Sequence, residues 1–174
     1  NDLIFNLPIG PLDLEVNKEQ MKIVSRNFKS NIMGSNPADF PKLPKSLGLN
    51  PVTIKREELV SALSKVIFAV SQDESRPILT GVLFVFKENK LFLVATDGVR
   101  LSQIKLSSEV KYKDISLIIP KQVLNEIIRI EAEENIEISF DKENNQVIFG
   151  IGDIILSSRL IEGTFPDYEK IIPT

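Results

Sequence analysis

The chain has 174 residues, long enough for one complete domain and part of a second. Hydrophobic residues make up 43% and charged residues 26%, a globular rather than a disordered balance, and no apolar run approaches the roughly 20 residues that span a bilayer. With no Cys, no His and a net charge of −3, the chain excludes disulfides, a Ser-His-Asp triad, a Cys-His pair, a His-ligated zinc and a basic coat for nucleic acid. Any contact with DNA has to come from a local basic surface on an acidic background. The lack of Cys, and the absence from Asn1 to Phe5 of a basic region leading into an apolar core, fit a cytoplasmic protein.

Taken in chain order, Leu12 opens an alternating strand in LDLEVNKEQMKIVSRNFKSNIMGSNPADFP. This turns at Asn17-Lys18-Glu19, continues through two more short strands and finishes at Phe40-Pro41. Pro37, Pro41, Pro44 and Pro51 then punctuate a linker. Val52–Ile54 reads as a strand, and Lys55–Val70 as a helix with Leu59, Leu63, Val66, Ile67 and Val70 on one face. A strand meander, FVFKENKLFLVATDGVRLSQIKL, follows from Phe84, with turns at Glu88-Asn89-Lys90 and Asp97-Gly98. Ser116–Ile119 is the next strand, and Pro120 stands ahead of a helix over Lys121–Glu131 with Leu124, Ile127 and Ile128 on one face. From Ile136, IEISFDKENNQVIFGIGDIILSSRLIEGTFPDY forms a second meander, turning at Asp141-Lys142-Glu143, at Asn144-Asn145 and at Gly152-Asp153, and ending at Phe165-Pro166.

Residues 50–173 therefore read as strand, helix and three strands, performed twice. One helix per half covers one face of the antiparallel strands, which makes an α+β domain with an internal pseudo-twofold. The segment from Leu12 repeats the meander of the segment from Ile136, and Phe40 and Phe165 lie about one domain length apart. Residues 1–43 lack a helix to close a core, so they are expected to be the end of an earlier domain of the same kind. The expected boundaries are 1–45 for that incomplete domain and 46–174 for a complete one, with a further domain expected to follow.

Four collinear segments carry a specific resemblance: NLPIGPLDLEV, NPADFPKLP, VATDGVRLS (Val94 to Ser102) and LIEGTFPDYEKIIP (Leu160 to Pro173). Together they are similar to the bacterial DNA polymerase III beta subunit family, the sliding clamps, from the end of the first domain through the middle domain. The resemblance implies a DNA-clamp fold and a head-to-tail homodimer closed around duplex DNA, with helices lining the hole. It implies a processivity factor without catalysis or cofactor. Its partners would be duplex DNA, the DNA polymerase III catalytic subunit, the clamp loader and repair proteins, which insert short peptides into a hydrophobic cleft; no membrane is involved.

On the polar helix faces stand Ser61, Ser64 and Lys65, then Lys121, Gln122, Asn125 and Arg129, interrupted by Glu57, Glu58 and Glu126. Lys65, Lys121 and Arg129, with Arg76 just after the first helix, are the expected DNA-facing cations; a solvated helix face is the ordinary alternative. Residues matching the family's peptide cleft are Leu79, Thr96, Gly98, Val99, Arg100, Leu101, Pro166, Lys170 and Ile171. The apolar ones would form walls, and Thr96 and Arg100 would supply polar contacts. As alternatives, Leu79, Leu101 and Ile171 would serve a core and Gly98 a turn. Val99 stands where the family more often has histidine or an aromatic, and Lys170 where arginine is common, which removes a planar fork of donors.

Two other functions compete. Asp97, Asp153, Glu162 and Asp167 lie in or near turns and would be the carboxylates of an enzyme. Asp97 and Asp153, however, occupy positions where Asp serves the backbone, and there is no phosphate-binding loop or nucleophile elbow. A β-rich scaffolding module without a DNA role is the other.

Overall fold

Alternation of side chains from Leu12 to Met33 produces three antiparallel strands, β1 (Leu12–Asn17), β2 (Gln20–Ser25) and β3 (Phe28–Met33), paired in that order. A short helix, α1 (Asp2–Phe5), precedes them. Lys18 takes a left-handed φ of +52° in the first turn. These elements belong to one compact unit, residues 1–42, and residues 43–174 form a second. The computed structural model describes residues 2–39, 44, 46–48, 51–107, 114–131, 134–141 and 143–170. Phe40-Pro41, Lys142 and Ile171, singled out above, lie outside the described residues.

The second unit begins with β4 (Val52–Lys55), α2 (Arg56–Val66), β5 (Gly81–Lys87), β6 (Lys90–Thr96) and β7 (Leu101–Ser107). The same order then recurs as β8 (Ile115–Pro120), α3 (Lys121–Arg129), β9 (Asn135–Asp141), β10 (Gln146–Ile151) and β11 (Ile154–Arg159). The strand, helix and three-strand pattern is present in both halves, and all pairings are antiparallel. The strands are divided between two four-stranded sheets, ordered β11-β10-β9-β4 and β7-β6-β5-β8. Each half therefore lends its leading strand to the other. β4 pairs with β9 from Val52↔Ile138 to Lys55↔Asn135, and β8 pairs with β5 from Gly81↔Pro120 to Phe86↔Ile115.

Each leading strand runs directly into its helix, so the exchange brings α2 and α3 into contact. Glu57 and Glu58 in the first turn of α2 and Lys65 in its last oppose the helix dipole favourably. Arg56 joins the two helices: its Nε and Nη2 donate to the carbonyl of Ile130, just past α3, at 3.0 and 2.5 Å. That carbonyl is one of the groups a helix end leaves without an internal partner. α2 stops at Val66 and tightens into a 3-10 turn, Ile67–Ala69, short of the expected Val70; α3 ends at Arg129 rather than Glu131. Both apolar faces are buried as the spacing implies.

The main core joins Leu59, Leu63 and Val66 of α2, Leu124 and Ile127 of α3, and inward residues of both sheets, among them Phe84, Phe86, Leu91, Leu93, Ile136 and Phe149. In β5, Val82, Phe84 and Phe86 face this core, while Leu83 and Val85 face the opposite side. There Leu83, Val94 and Ile118 make a second cluster, covered by Ile161, Phe165 and Tyr168 of the segment after β11. The sheet containing β5 is thus apolar on both faces.

Gly81 sits where β5, β8 and that covering segment meet. A methyl group there would lie 2.6 Å from the Ile119 carbonyl oxygen, 2.8 Å from Ile161 Cδ1 and 2.9 Å from Ile118 Cγ2. At Gly150 the nearest atom to such a methyl is the far end of the Leu47 side chain, Cδ1 at 2.7 Å. Gly81→Ala is expected to destabilise the domain by about 1–3 kcal/mol and Gly150→Ala by clearly less, read from urea midpoints at unchanged m-value.

Candidate functional site

Two surfaces carry the predicted residues. The first is the exposed side of the helix pair. Ser61, Ser64 and Lys65 of α2 and Gln122 and Arg129 of α3 are exposed; Lys121 and Asn125 are half-buried. Arg129 Nη1 is 3.0 Å from Glu126 Oε1, so part of its charge is engaged locally. Lys65 and Lys121 have no ion pair among the described residues. Lys121 and Gln122 border a shallow depression of about 380 Å³ with Ser71, Gln72, Glu74 and Pro77 of the loop after α2.

Arg76 belongs to that same loop. Its Nε is 3.1 Å from Asp73 Oδ2, and its Nη1 lies 3.2 Å from where a Cβ on Gly98 would be. The structure therefore sets Arg76 against the β6–β7 turn, beside residues predicted for the cleft. Asp73 is held below the ordinary carboxylate range by hydrogen bonds from the Ser75 side chain and backbone, then from Arg76.

The second surface is built from two chain segments that converge on the outer apolar cluster. The 3-10 turn Pro77–Thr80 places Leu79 in a buried position, with its carbonyl accepting from Ser71 N–H at 2.9 Å. Gly163, at φ +135°, lets the later segment approach: a Cβ there would meet Ile78 Cδ1 at 2.7 Å. Pro166 follows on the surface, with Phe165 and Tyr168 anchored inward. Between this segment and β5 and β8 runs a groove of about 580 Å³ along Leu83, Val85, Ile118 and Pro166. Burial raises the Tyr168 hydroxyl pKa, and the Glu169 and Asp167 carboxylates add to the shift.

Leu101 packs into the same outer cluster, at the start of β7. The connection before it, residues 97–100, joins strand ends paired as Thr96↔Leu101. Asp97 Oδ1 accepts from Val99 N–H at 3.0 Å and Arg100 N–H at 2.9 Å. Its Oδ2 accepts from Arg100 Nε at 2.9 Å. Buried Thr96 accepts from Gly98 N–H at 3.1 Å and donates to the Arg100 carbonyl at 2.7 Å. Gly98, at φ +93°, makes the reversal. The backbone reading of Asp97 is thus the one its geometry displays. Val99 is 98% exposed, and the Arg100 guanidinium carbon stands 5.7 Å from the ring centre of Phe68. Lys170 is exposed and paired with Asp167 at 2.8 Å, a contact of small worth in water.

Sequence reasoning missed Leu83, Val85 and Ile118 as groove residues. Their signal was the unbroken apolar run Gly81–Phe86, which marks a strand covered on both faces. It missed Phe68 as a neighbour of Arg100, and no spacing in the chain connects the two.

A sequence profile of the DNA polymerase III beta subunit, central domain, matches residues 53–167. The chain belongs to the DNA polymerase III beta subunit family. It is 35% identical to the beta sliding clamp of Staphylococcus epidermidis over 99% of its length and 46% of that protein. Among solved structures, the beta chain of DNA polymerase III from Streptococcus pneumoniae superposes with a TM-score of 0.72 at 34% identity, over 99% of this chain and 46% of that one. The DNA polymerase sliding clamp of Bacillus subtilis superposes at 0.73 and 28% identity, with the same coverages. The chain spans about half the length of the beta-subunit relatives it matches. No helix among the described residues is long and apolar enough to cross a membrane.

The Asp97 turn has a pH signature. Backbone hydrogen bonds from Arg100 and Val99, with the Arg100 guanidinium, lower the Asp97 pKa from 3.8 to about 2. A depressed carboxylate stabilises the fold above its unfolded pKa and loses that contribution as pH falls through the folded value. The melting-temperature gap between the native chain and Asp97→Asn is therefore expected to be constant above pH ~5 and to narrow between about pH 4 and pH 2. A gap that stays constant down to pH 2 would exclude this role for the carboxylate.

Proposed function

We propose that this chain works within a sliding-clamp subunit, residues 46–174 as its central domain and residues 1–45 as the closing strands of a first clamp domain. In this reading the whole subunit pairs head to tail with a second copy in the cytoplasm and encircles duplex DNA. It tethers the DNA polymerase III catalytic subunit by topology and performs no catalytic step of its own. The observation that carries the reading is the match to beta sliding clamps over 99% of the chain, with the two-helix, two-sheet domain to go with it.

The helix pair is the proposed DNA-facing surface, with Lys65, Lys121 and Arg129 as its cations. A sliding protein needs weak phosphate contacts without base readout, because strong local contacts would arrest it. Sparse cations among Ser61, Ser64 and Gln122 supply that. Arg76, set against Gly98, is better supported as a rim residue of the peptide cleft than as a pore cation. In a full-length subunit containing this chain, replacing Lys65, Lys121 and Arg129 by Glu should impair sliding while leaving the melting temperature near native. Each phosphate that is no longer neutralised should flatten the log-affinity against log-salt slope by about 0.9. An unchanged slope and unchanged processivity would place these residues away from DNA.

The proposed partner site is the surface bearing Leu79, Thr96, Gly98 to Leu101, Pro166 and Lys170, with Ile171 beyond the described residues. A peptide carrying a Gln followed by apolar and aromatic residues would set its apolar side chains against Leu79, Leu101 and Pro166. This chain by itself supplies part of the site, so binding to it is expected near millimolar, about half the free energy of a micromolar complex. In an NMR titration, shifts should cluster near Leu79, Val99 to Leu101 and Pro166. Micromolar binding that survives Leu79→Asp and Leu101→Asp would put the site elsewhere.

A further inference from the structure

All four backbone N–H groups of the Asp97–Arg100 connection are bonded within it or to Thr96. Asp97 N–H reaches the Arg100 carbonyl at 3.4 Å, Gly98 N–H reaches Thr96 Oγ1, and the amides of Val99 and Arg100 share Asp97 Oδ1. The turn therefore offers a partner no free backbone donor. What it presents is the Val99 side chain and the Arg100 guanidinium.

Arg100 differs from the other exposed cations. Arg76, Arg129 and Lys170 each pair with a carboxylate three residues earlier, but only Arg100 also stands over an aromatic ring among the described residues. Its carboxylate partner is the better shielded of the two, with the Asp97 side chain 23% exposed against 59% for the Arg100 side chain. Phe68, 55% exposed in the 3-10 turn after α2, is a large apolar side chain outside both cores. An exposed ion pair adds little to stability, so stability alone does not account for a cation held from two sides. An arginine that orders only on binding loses rotamer freedom at that moment, whereas one already held does not.

We propose that Asp97 and Phe68 are positioning residues that hold the Arg100 guanidinium at the rim of the peptide cleft, so that a bound peptide meets it already oriented. The inference rests on the cleft reading above. It assigns Asp97 an indirect role: its carboxylate acts on the peptide through Arg100. Asp97→Asn keeps an oxygen able to accept from the Val99 and Arg100 amides and removes the charge that fixes Nε. Phe68→Ala removes the ring and leaves the turn's hydrogen bonds in place.

The test is a double-mutant cycle in the full-length subunit, using fluorescence anisotropy of a labelled peptide with a Gln followed by leucines and a phenylalanine. Asp97→Asn and Phe68→Ala should each weaken binding about five- to tenfold in the native background and less than about twofold in Arg100→Ala. The Arg100 Nε–H NMR signal should be sharp in the native protein and broadened in both variants. Equal losses with and without Arg100, or no loss in either single variant while Leu101→Asp abolishes binding, would overturn the positioning role and leave the cleft standing. Native affinity in Leu101→Asp would overturn the cleft reading and this inference with it. Should Asp97→Asn fail to fold, the Phe68→Ala arm decides the same question.

Discussion

The exchange of β4 and β8 between the two meanders is the constraint on which the rest of the domain depends. A lone three-stranded meander leaves both of its edges unpaired. Adding the other half's leading strand gives each sheet four strands and makes the halves inseparable. Because β4 enters α2 at Arg56 and β8 enters α3 at Lys121, the same exchange sets the helices side by side. Arg56 then finds the Ile130 carbonyl from the far half of the chain. Pairs such as Lys55↔Asn135 lie far apart in sequence, so closing each four-stranded sheet requires contacts between distant parts of the chain.

From that arrangement follow two surfaces of different character. The helices bury Leu59, Leu63, Leu124 and Ile127 and leave polar residues outside, with Lys65, Lys121 and Arg129 interspersed with Glu57, Glu58 and Glu126. The outer face of the β5–β8 sheet is apolar instead, and the segment through Phe165 and Tyr168 covers part of it. A sheet covered incompletely on its second face leaves a groove with apolar walls, the kind of surface a short peptide occupies. At the end of the same sheet, the β6–β7 connection is polar and firmly held. Asp97, Thr96 and Gly98 fix the turn, and Arg100 and Arg76 stand beside it.

The two strand, helix and three-strand units were legible in the chain, because local chemistry carries them. Period-two alternation marks β9, turn signals bound β10 and β11, apolar residues at helical spacing mark α2 and α3, and Glu88, Asn89 and Gly152 adopt the positive φ that tight hairpins require. The turn role of Asp97 was legible for the same reason, since its partners are two and three residues away. So were the exposed positions of Lys65 and Arg129, which follow from the phase of each helix.

Other features required the folded chain. Which leading strand joins which sheet depends on edges that present equivalent hydrogen-bonding groups, and nothing in Val52–Lys55 or Ile115–Pro120 distinguishes them. That Arg76 lies by Gly98 depends on how the Pro77–Thr80 turn docks. The Phe68 ring reaches Arg100 only because β7 packs along α2, where Ser102 Oγ also donates to the Lys65 carbonyl. The sequence by itself determined what periodicity and neighbours within a few residues control: the elements, their buried faces and the turns. Tertiary structure decided what distant segments do to one another, because backbone pairing is blind to side-chain identity and a groove exists only where two separate segments meet.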